Sequence, residues 1–133
     1  MSGETDIRTL LKNMTPVLND GEYVFCTIDD PGKLNRNDLV GLFREDEGFT
    51  VILNKAIADH LNLSYNYIAA WITLTIHSSL DAVGLTAAFS KALGDASISC
   101  NLVAAYYHDH IFVGLRDADR AMLVLKQLAK GTK

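Results

Sequence analysis

Cysteine and proline are nearly missing from this chain of 133 residues, with two of each. Cys26 and Cys100 sit alone inside apolar strand patterns, and there is no C-x-x-C. That spacing argues against a disulfide framework, a redox motif and a zinc knuckle. Two buried thiols in a reducing compartment are the expectation. Glycine-rich phosphate loops are absent as well. There is no G-x-x-x-x-G-K and no G-x-G-x-x-G, so nucleotide binding by those routes has no support. Basic clusters are lacking: 12 Lys and Arg face 16 Asp and Glu, for a net charge of −4. A nucleic acid partner is therefore not expected. Long hydrophobic runs are missing too. Thr, Ser or His interrupts each apolar stretch before it reaches the length of a membrane span, so no membrane partner is expected. The opening "MSGETDIRTLL" has neither a basic n-region nor a long apolar core, so it does not read as a signal peptide; the expected location is cytoplasmic.

What is present is ordinary globular material. The hydrophobic fraction is 49% and the charged fraction 21%, enough for a core without metal or disulfide staples. Ile7, Leu10, Leu11 and Met14 repeat at helical spacing after cap candidates Ser2 and Thr5, and Pro16 ends the segment. "LNDGEY" at 18–23 signals a turn and "YVFCTI" at 23–28 a strand. "DDPGKLNRND" at 29–38 reads as a polar loop. "LVGLFRE" and "GFTVIL" read as a hairpin turning at "EDEG", followed by a short helix at 55–61.

The second half is clearer. "AWITLTIH" at 70–77 alternates strictly: Ile72, Leu74 and Ile76 face one way, and Trp71, Thr73, Thr75 and His77 the other. Leu85, Ala88, Phe89, Ala92 and Leu93 form one stripe of a helix from Asp81 that ends at Gly94. Strands are expected at 98–107 and 111–115, then a helix at 117–130. The order β-α-β-β-α predicts an α+β fold with the helices on a single face of the sheet. The halves echo each other weakly: shifted by 62 residues, "GFTVILNKA" lies over "HIFVGLRDA" and the "EDEG" turn over "YHDH". The division is placed at residues 1–65 and 66–133, the first half lacking a counterpart of the Asp81–Leu93 helix.

The stretches "EDEGFTVI" at 45–52, "WITLTIHSSLDAVGLTAAFSKAL" at 71–93 and "SISCNLVAAYYHDHIFV" at 97–113 resemble the ACT-domain family. More narrowly, the chain resembles the small tandem-ACT proteins of bacteria, which are similar to the amino-acid-sensing ACT pairs of eukaryotic nutrient signalling. The resemblance implies two ACT-like halves, each a ferredoxin-like sandwich with an antiparallel sheet. It also implies a small metabolite, typically an amino acid, bound at an interface between ACT units beside the loop "HSSLDAVG". The usual Asp-x-Pro-Gly of that turn is here Asp81-Ala82-Val83-Gly84, with the glycine kept and the proline missing. A true "DPG" stands instead at Asp30–Gly32.

A helix N-terminus offers free amides and the positive end of a dipole. An amino acid's carboxylate could sit there, on Ser79, Leu80, Asp81, Ala82, Val83 and Gly84. Its ammonium group needs a carboxylate or carbonyls; Glu45, Asp46, Glu47 and Asp81 are candidates. Asn101, polar within an apolar strand, reads equally as a ligand contact or a satisfied edge residue. His108 and His110 are two apart and share a face if extended. With His77 they could approach a metal, or they rim a ligand pocket beside a turn that Asp109 fixes. Tyr106, Tyr107 and Phe112 read as core and pocket wall. A Ser–His–Asp grouping of Ser78 or Ser79 with His77 and Asp81 is disfavoured, because triad members converge from different elements; those residues read instead as a helix cap. The functional expectation is a regulatory, non-catalytic small-molecule binder, a homodimer without a cofactor. Two alternatives stand beside it: a small enzyme or metal protein using His77, His108 and His110, and a purely structural interaction module.

Overall fold

A computed structural model describes residues 6–76 and 84–131. The described chain forms two compact units. One comprises the residues up to Asn19 together with those from Ala70 onward, and the other runs Asp20–Ala69. The expected boundary at 65/66 lies close to the second of these junctions; the first 19 residues group with the C-terminal part.

In the first unit, α1 (Ile7–Lys12) is capped by Asp6, whose carboxylate accepts from the Arg8 amide at 3.2 Å. The cap is thus Asp6, and neither Ser2 nor Thr5 as the sequence suggests. Strand β1 (Thr15–Leu18) follows at once and pairs antiparallel with β5 (Ile68–Thr75), Pro16 opposite Leu74. The remaining elements are α3 (Leu85–Asp95), β6 (Asn101–Ala104), β7 (Asp109–Gly114) and α4 (Ala118–Ala129). In this unit β1 lies on β5, and the order continues β5-β7-β6. A ferredoxin-like β-α-β-β-α unit needs a fourth strand beside its first, and β1 from the chain's start fills that place.

The alternation of β5 is observed as expected. Ile72, Leu74 and Ile76 are buried, while Trp71, Thr73 and Thr75 are half-buried on the opposite face. The buried face joins Leu10, Leu85, Phe89, Leu93, Ile111, Val113, Ala121 and Leu125 in one core. Helix α3 runs one residue past Gly94, and Ser97, at φ 60, turns the chain so that the Ile98 amide donates to the Leu93 carbonyl at 2.9 Å. That is a helix-ending turn, and it consumes residues that the sequence pattern assigns to a strand. The strand expected over 98–107 accordingly shortens to Asn101–Ala104.

The second unit holds β2 (Tyr23–Ile28), β3 (Leu39–Arg44), β4 (Phe49–Asn54) and α2 (Lys55–His60), ordered β3-β4-β2. Its fourth strand is supplied by the first residues of β5, with Tyr23 opposite Ala69 and Val24 opposite Ile68. The smaller core is Val24, Cys26, Val51, Leu53 and Ala58. Asn54 caps α2 by accepting from the Ala56 amide at 2.8 Å. The expected polar loop at 29–38 contains two single 3-10 turns, Pro31–Lys33 and Arg36–Asp38, capped by Asp30 and Asn35. Both cysteine thiols are free, and burial pushes their pKa values up.

Phe89 is fully buried in the first core. Phe89→Ala should destabilise the protein by about 3–5 kcal/mol. Leu123, which is 58% exposed, should tolerate the same truncation within about 0.5 kcal/mol. Urea unfolding of the two variants checks the contrast.

Candidate functional site

The end of β2 and the turn after it build a cleft of about 490 Å³ in the second unit. Thr27 and Ile28 close the strand, and Asp29, Asp30, Lys33 and Leu34 continue along one wall. Leu61 and Leu63 form the other, placed by the end of α2. Asn62 at φ 59 turns the chain between them. Local contacts shape the turn. Asp30 accepts from the Gly32 amide at 2.9 Å, and Pro31 opens the 3-10 turn. Lys33 and Asp29 have no side-chain hydrogen bond or ion pair among the described residues. The cleft thus joins two carboxylates, one ammonium and four apolar side chains. Its volume falls within the range of small-molecule sites. Such a lining can hold a zwitterion: an ammonium on Asp29 and Asp30, a carboxylate on Lys33, and an apolar group over Ile28, Leu34, Leu61 and Leu63.

The sequence singles out the "DPG" turn but places the ligand elsewhere, and it misses Lys33, Leu34, Leu61 and Leu63. No spacing rule joins a loop to the end of a distant helix. Of the expected turn, Ser79, Leu80, Asp81, Ala82 and Val83 lie outside the described residues, as does His77. Gly84 lies at its end, at φ 93, and its carbonyl accepts from the Ala88 amide at 2.9 Å to start α3.

Asn101 opens β6 opposite Phe112 of β7 and donates from Nδ2 to the Phe112 carbonyl at 3.2 Å. Glu45 and Glu47 belong to the other unit. Glu45 pairs with Gly48 to close the β3–β4 hairpin and accepts from the Thr50 hydroxyl, while Glu47 is exposed at the tip.

The histidine knot resolves differently from expectation. Its turn is Ala105–His108, closed by the Ala105 amide donating to the His108 carbonyl at 3.1 Å, and Asp109 is already the first residue of β7. Strand β7 begins 60 residues after β4, at Asp109 against Phe49, so the 62-residue shift misplaces the hairpin turn by two. Tyr106 and Tyr107 are 79% and 75% exposed at the tip, not core or pocket wall; Phe112 is buried. Burial pushes the Asp109 carboxyl up, against a smaller opposing effect of His108. Among the described residues no three His, Cys, Asp or Glu side chains group as metal ligands.

His110 instead enters a network on the sheet face opposite the helices. The Trp71 indole N–H donates to its Nδ1 at 3.0 Å, Thr73 Oγ1 lies 3.2 Å from the same atom, and Asn19 Nδ2 donates to Thr73 at 2.9 Å. Phe112 stacks on Trp71 at 6.2 Å. An indole N–H only donates, so Nδ1 must accept and the imidazole is neutral with its proton on Nε2. Burial lowers the His110 pKa, and nearby His108 lowers it further.

An ACT-domain model matches residues 2–70, more than half of the chain, and a second ACT-domain model matches residues 67–127. The chain belongs to the ACT-domain family. Two ACT domains in tandem, with a mixed α+β fold, support a regulatory, ligand-binding role. A solved Vibrio cholerae structure, described as a protein of unknown function and possible transport protein, is 41% identical with a TM-score of 0.79. The match covers 92% of this chain and 94% of that one. A structure from Agrobacterium tumefaciens has a TM-score of 0.65 at 14% identity, over 87% and 89% of the two chains. The ligand-free regulatory subunit of aspartate kinase from Thermus thermophilus has a TM-score of 0.59 at 10% identity, over 85% and 95%. At these low identities the last two share the fold alone. Comparison with curated protein sequences finds no match. Among the described residues no helix is long and apolar enough to cross a membrane.

Because the folded pKa of His110 is lowered, the unfolded chain takes up this proton first as pH falls through its ordinary value of about 6.5. The stability contributed by His110 is therefore complete above that value and declines below it, until the folded form also protonates. Between pH 7.5 and 5.5, wild type should lose more stability than His110→Asn, which keeps an acceptor but does not titrate. Urea midpoints at the two pH values check this.

Proposed function

We propose that this ACT protein is a non-catalytic regulator that binds a small apolar amino acid, acting in the cytoplasm as a homodimer. The observation that carries the reading is the cleft at the β2 turn, where Asp29, Asp30 and Lys33 rim the apolar residues Ile28, Leu34, Leu61 and Leu63. Opposite charges at one mouth suit the head group of a zwitterion, and the apolar wall selects its side chain. Asp29 and Asp30 take the ammonium role that the sequence offers to Glu45, Asp46, Glu47 and Asp81. The turn from Ser79 to Gly84, with Asn101, His108 and His110 in the same unit, is the matching position after β5 and a second place for the same ligand class. The fold shared with an aspartate kinase regulatory subunit supports a regulatory use. Ligand would act by favouring one conformation, limited by its differential affinity for the two states.

A thermal-shift screen of the twenty amino acids tests this. A ligand at 100 times its dissociation constant adds about 2.7 kcal/mol, a shift of several degrees. Leucine, isoleucine, valine or methionine should raise the melting temperature, whereas acidic and basic amino acids should not. Lys33→Glu should weaken that binding by about tenfold or more through charge reversal, and should change the stability of the free protein by no more than about 0.5 kcal/mol. No shift with any amino acid, or unchanged affinity in Lys33→Glu, contradicts the proposal.

A further inference from the structure

The first unit holds a cavity of about 430 Å³ between α1 and the end of α4. One face of α1 forms one wall. Arg8 and Lys12 are four residues apart with Leu11 between them, so all three share that face, while Leu10 is buried in the core. Leu128, Ala129, Lys130 and Gly131 form the other wall. Leu11, Leu128 and Ala129 are half-buried and give the cavity an apolar floor, with Arg8, Lys12 and Lys130 exposed around it. None of these three cations has a side-chain hydrogen bond or ion pair among the described residues. In a chain whose net charge is −4, the fold thus gathers three cations from opposite ends of the sequence at one cavity of small-molecule size.

The lining also says what charge fits. Asp6 is its carboxylate, and that group is already engaged: it accepts from the Arg8 amide at 3.2 Å and from the Thr9 hydroxyl at 3.3 Å. Three cations against this carboxylate leave a net of two positive charges. Free carbonyls at a helix end would repel an anion. Here the Lys130 and Gly131 amides donate to the Lys126 and Leu128 carbonyls at 3.2 and 3.0 Å, and Gly131 turns at φ 73 to do so. We propose that this cavity binds a small phosphate monoester, its phosphate on Arg8, Lys12 and Lys130 and its organic group over Leu11, Leu128 and Ala129. A guanidinium holds two phosphate oxygens in parallel, and ammonium groups add point charges. A phosphate monoester carries a charge of about −1.5 to −2 at pH 7, which this lining matches. A zwitterionic amino acid has no net charge to match. The cavity is therefore a second site, in the other unit from the β2 cleft, for a second ligand class, and it stands whether or not that cleft binds an amino acid.

The test titrates phenyl phosphate into the isotope-labelled full chain at low ionic strength, where surface charges are least screened. Inorganic phosphate and phenylalanine serve as comparisons. The amides of Arg8 to Lys12 and Leu128 to Gly131 should shift with one common dissociation constant. Phenyl phosphate should bind about threefold or more tightly than inorganic phosphate, because its ring covers the apolar floor. Phenylalanine should leave these amides in place. From pH 7.5 to 5.5 the affinity should fall about threefold or more, since the ester takes up its second proton near about 6 while the three cations stay charged. Lys12→Glu and Lys130→Glu should each weaken binding about fivefold or more. Far-UV circular dichroism checks that each variant is folded, and if one fails to fold the other carries the comparison. Unchanged affinity in a folded variant, shifts of these amides with phenylalanine, or no shift there with millimolar phenyl phosphate overturns the proposal. Inorganic phosphate binding as tightly as phenyl phosphate also overturns it, leaving an adventitious ion only.

Discussion

The alternation along β5 is the constraint on which the first unit depends. Ile72, Leu74 and Ile76 fix which face of the sheet the helices must cover. A register slip of one residue would carry all three into solvent and bury the polar residues between them. The same alternation delivers Trp71 and Thr73 to the opposite face, where His110 accepts the indole proton. Core packing on one face and a hydrogen-bonded polar network on the other therefore have a single cause. The cost of breaking that network is the cost of leaving half-buried polar groups without partners.

The second unit shows the effect of a missing crossover helix. The ten residues 29–38 connect β2 to β3 in place of an α3 equivalent, and they form only two 3-10 turns. So short a segment cannot lay a helix across the sheet. Leu34 and the residues at the end of α2 then border an open cleft, where a helix would supply further core side chains. The proposed ligand site is thus a consequence of chain length in one half. Its charged rim comes from the polar composition that the turn residues require: Asp30 caps the 3-10 turn, and Asp29 and Lys33 are left exposed to solvent.

Much of this fold is legible in the residues. Strict alternation from Ala70 and the helical stripe from Leu85 to Leu93 carry strong periodic signals, and β5 forms over Ile68–Thr75 and α3 over Leu85–Asp95. "YVFCTI" marks its strand to the residue. Short elements are less legible. Strand β1 is four residues long and contains Pro16, which reads as a helix stop and gives no sign of a partner 58 positions away at Leu74. The strand before Tyr106 is shorter than its apolar run because Ser97 takes positive φ and the Ile98 amide returns to Leu93, a helix-ending turn the run conceals. Tyr106 and Tyr107 read as core by composition, yet a hairpin tip exposes both. Site residues are harder still. The sequence places His110 beside Asp109, whereas its real partners, Trp71 and Thr73, come from another strand. Lys33 and Leu63 come together only through the fold.

The proposed function depends on an amino acid binding at the β2 turn. The most direct measurement is a titration of isotope-labelled protein with valine or leucine, following backbone amide resonances. The amides of Thr27 to Asp30, Gly32 to Leu34, Leu61 and Leu63 should shift with one common dissociation constant. Shifts confined to other parts of the chain, or none at saturating ligand, would contradict it.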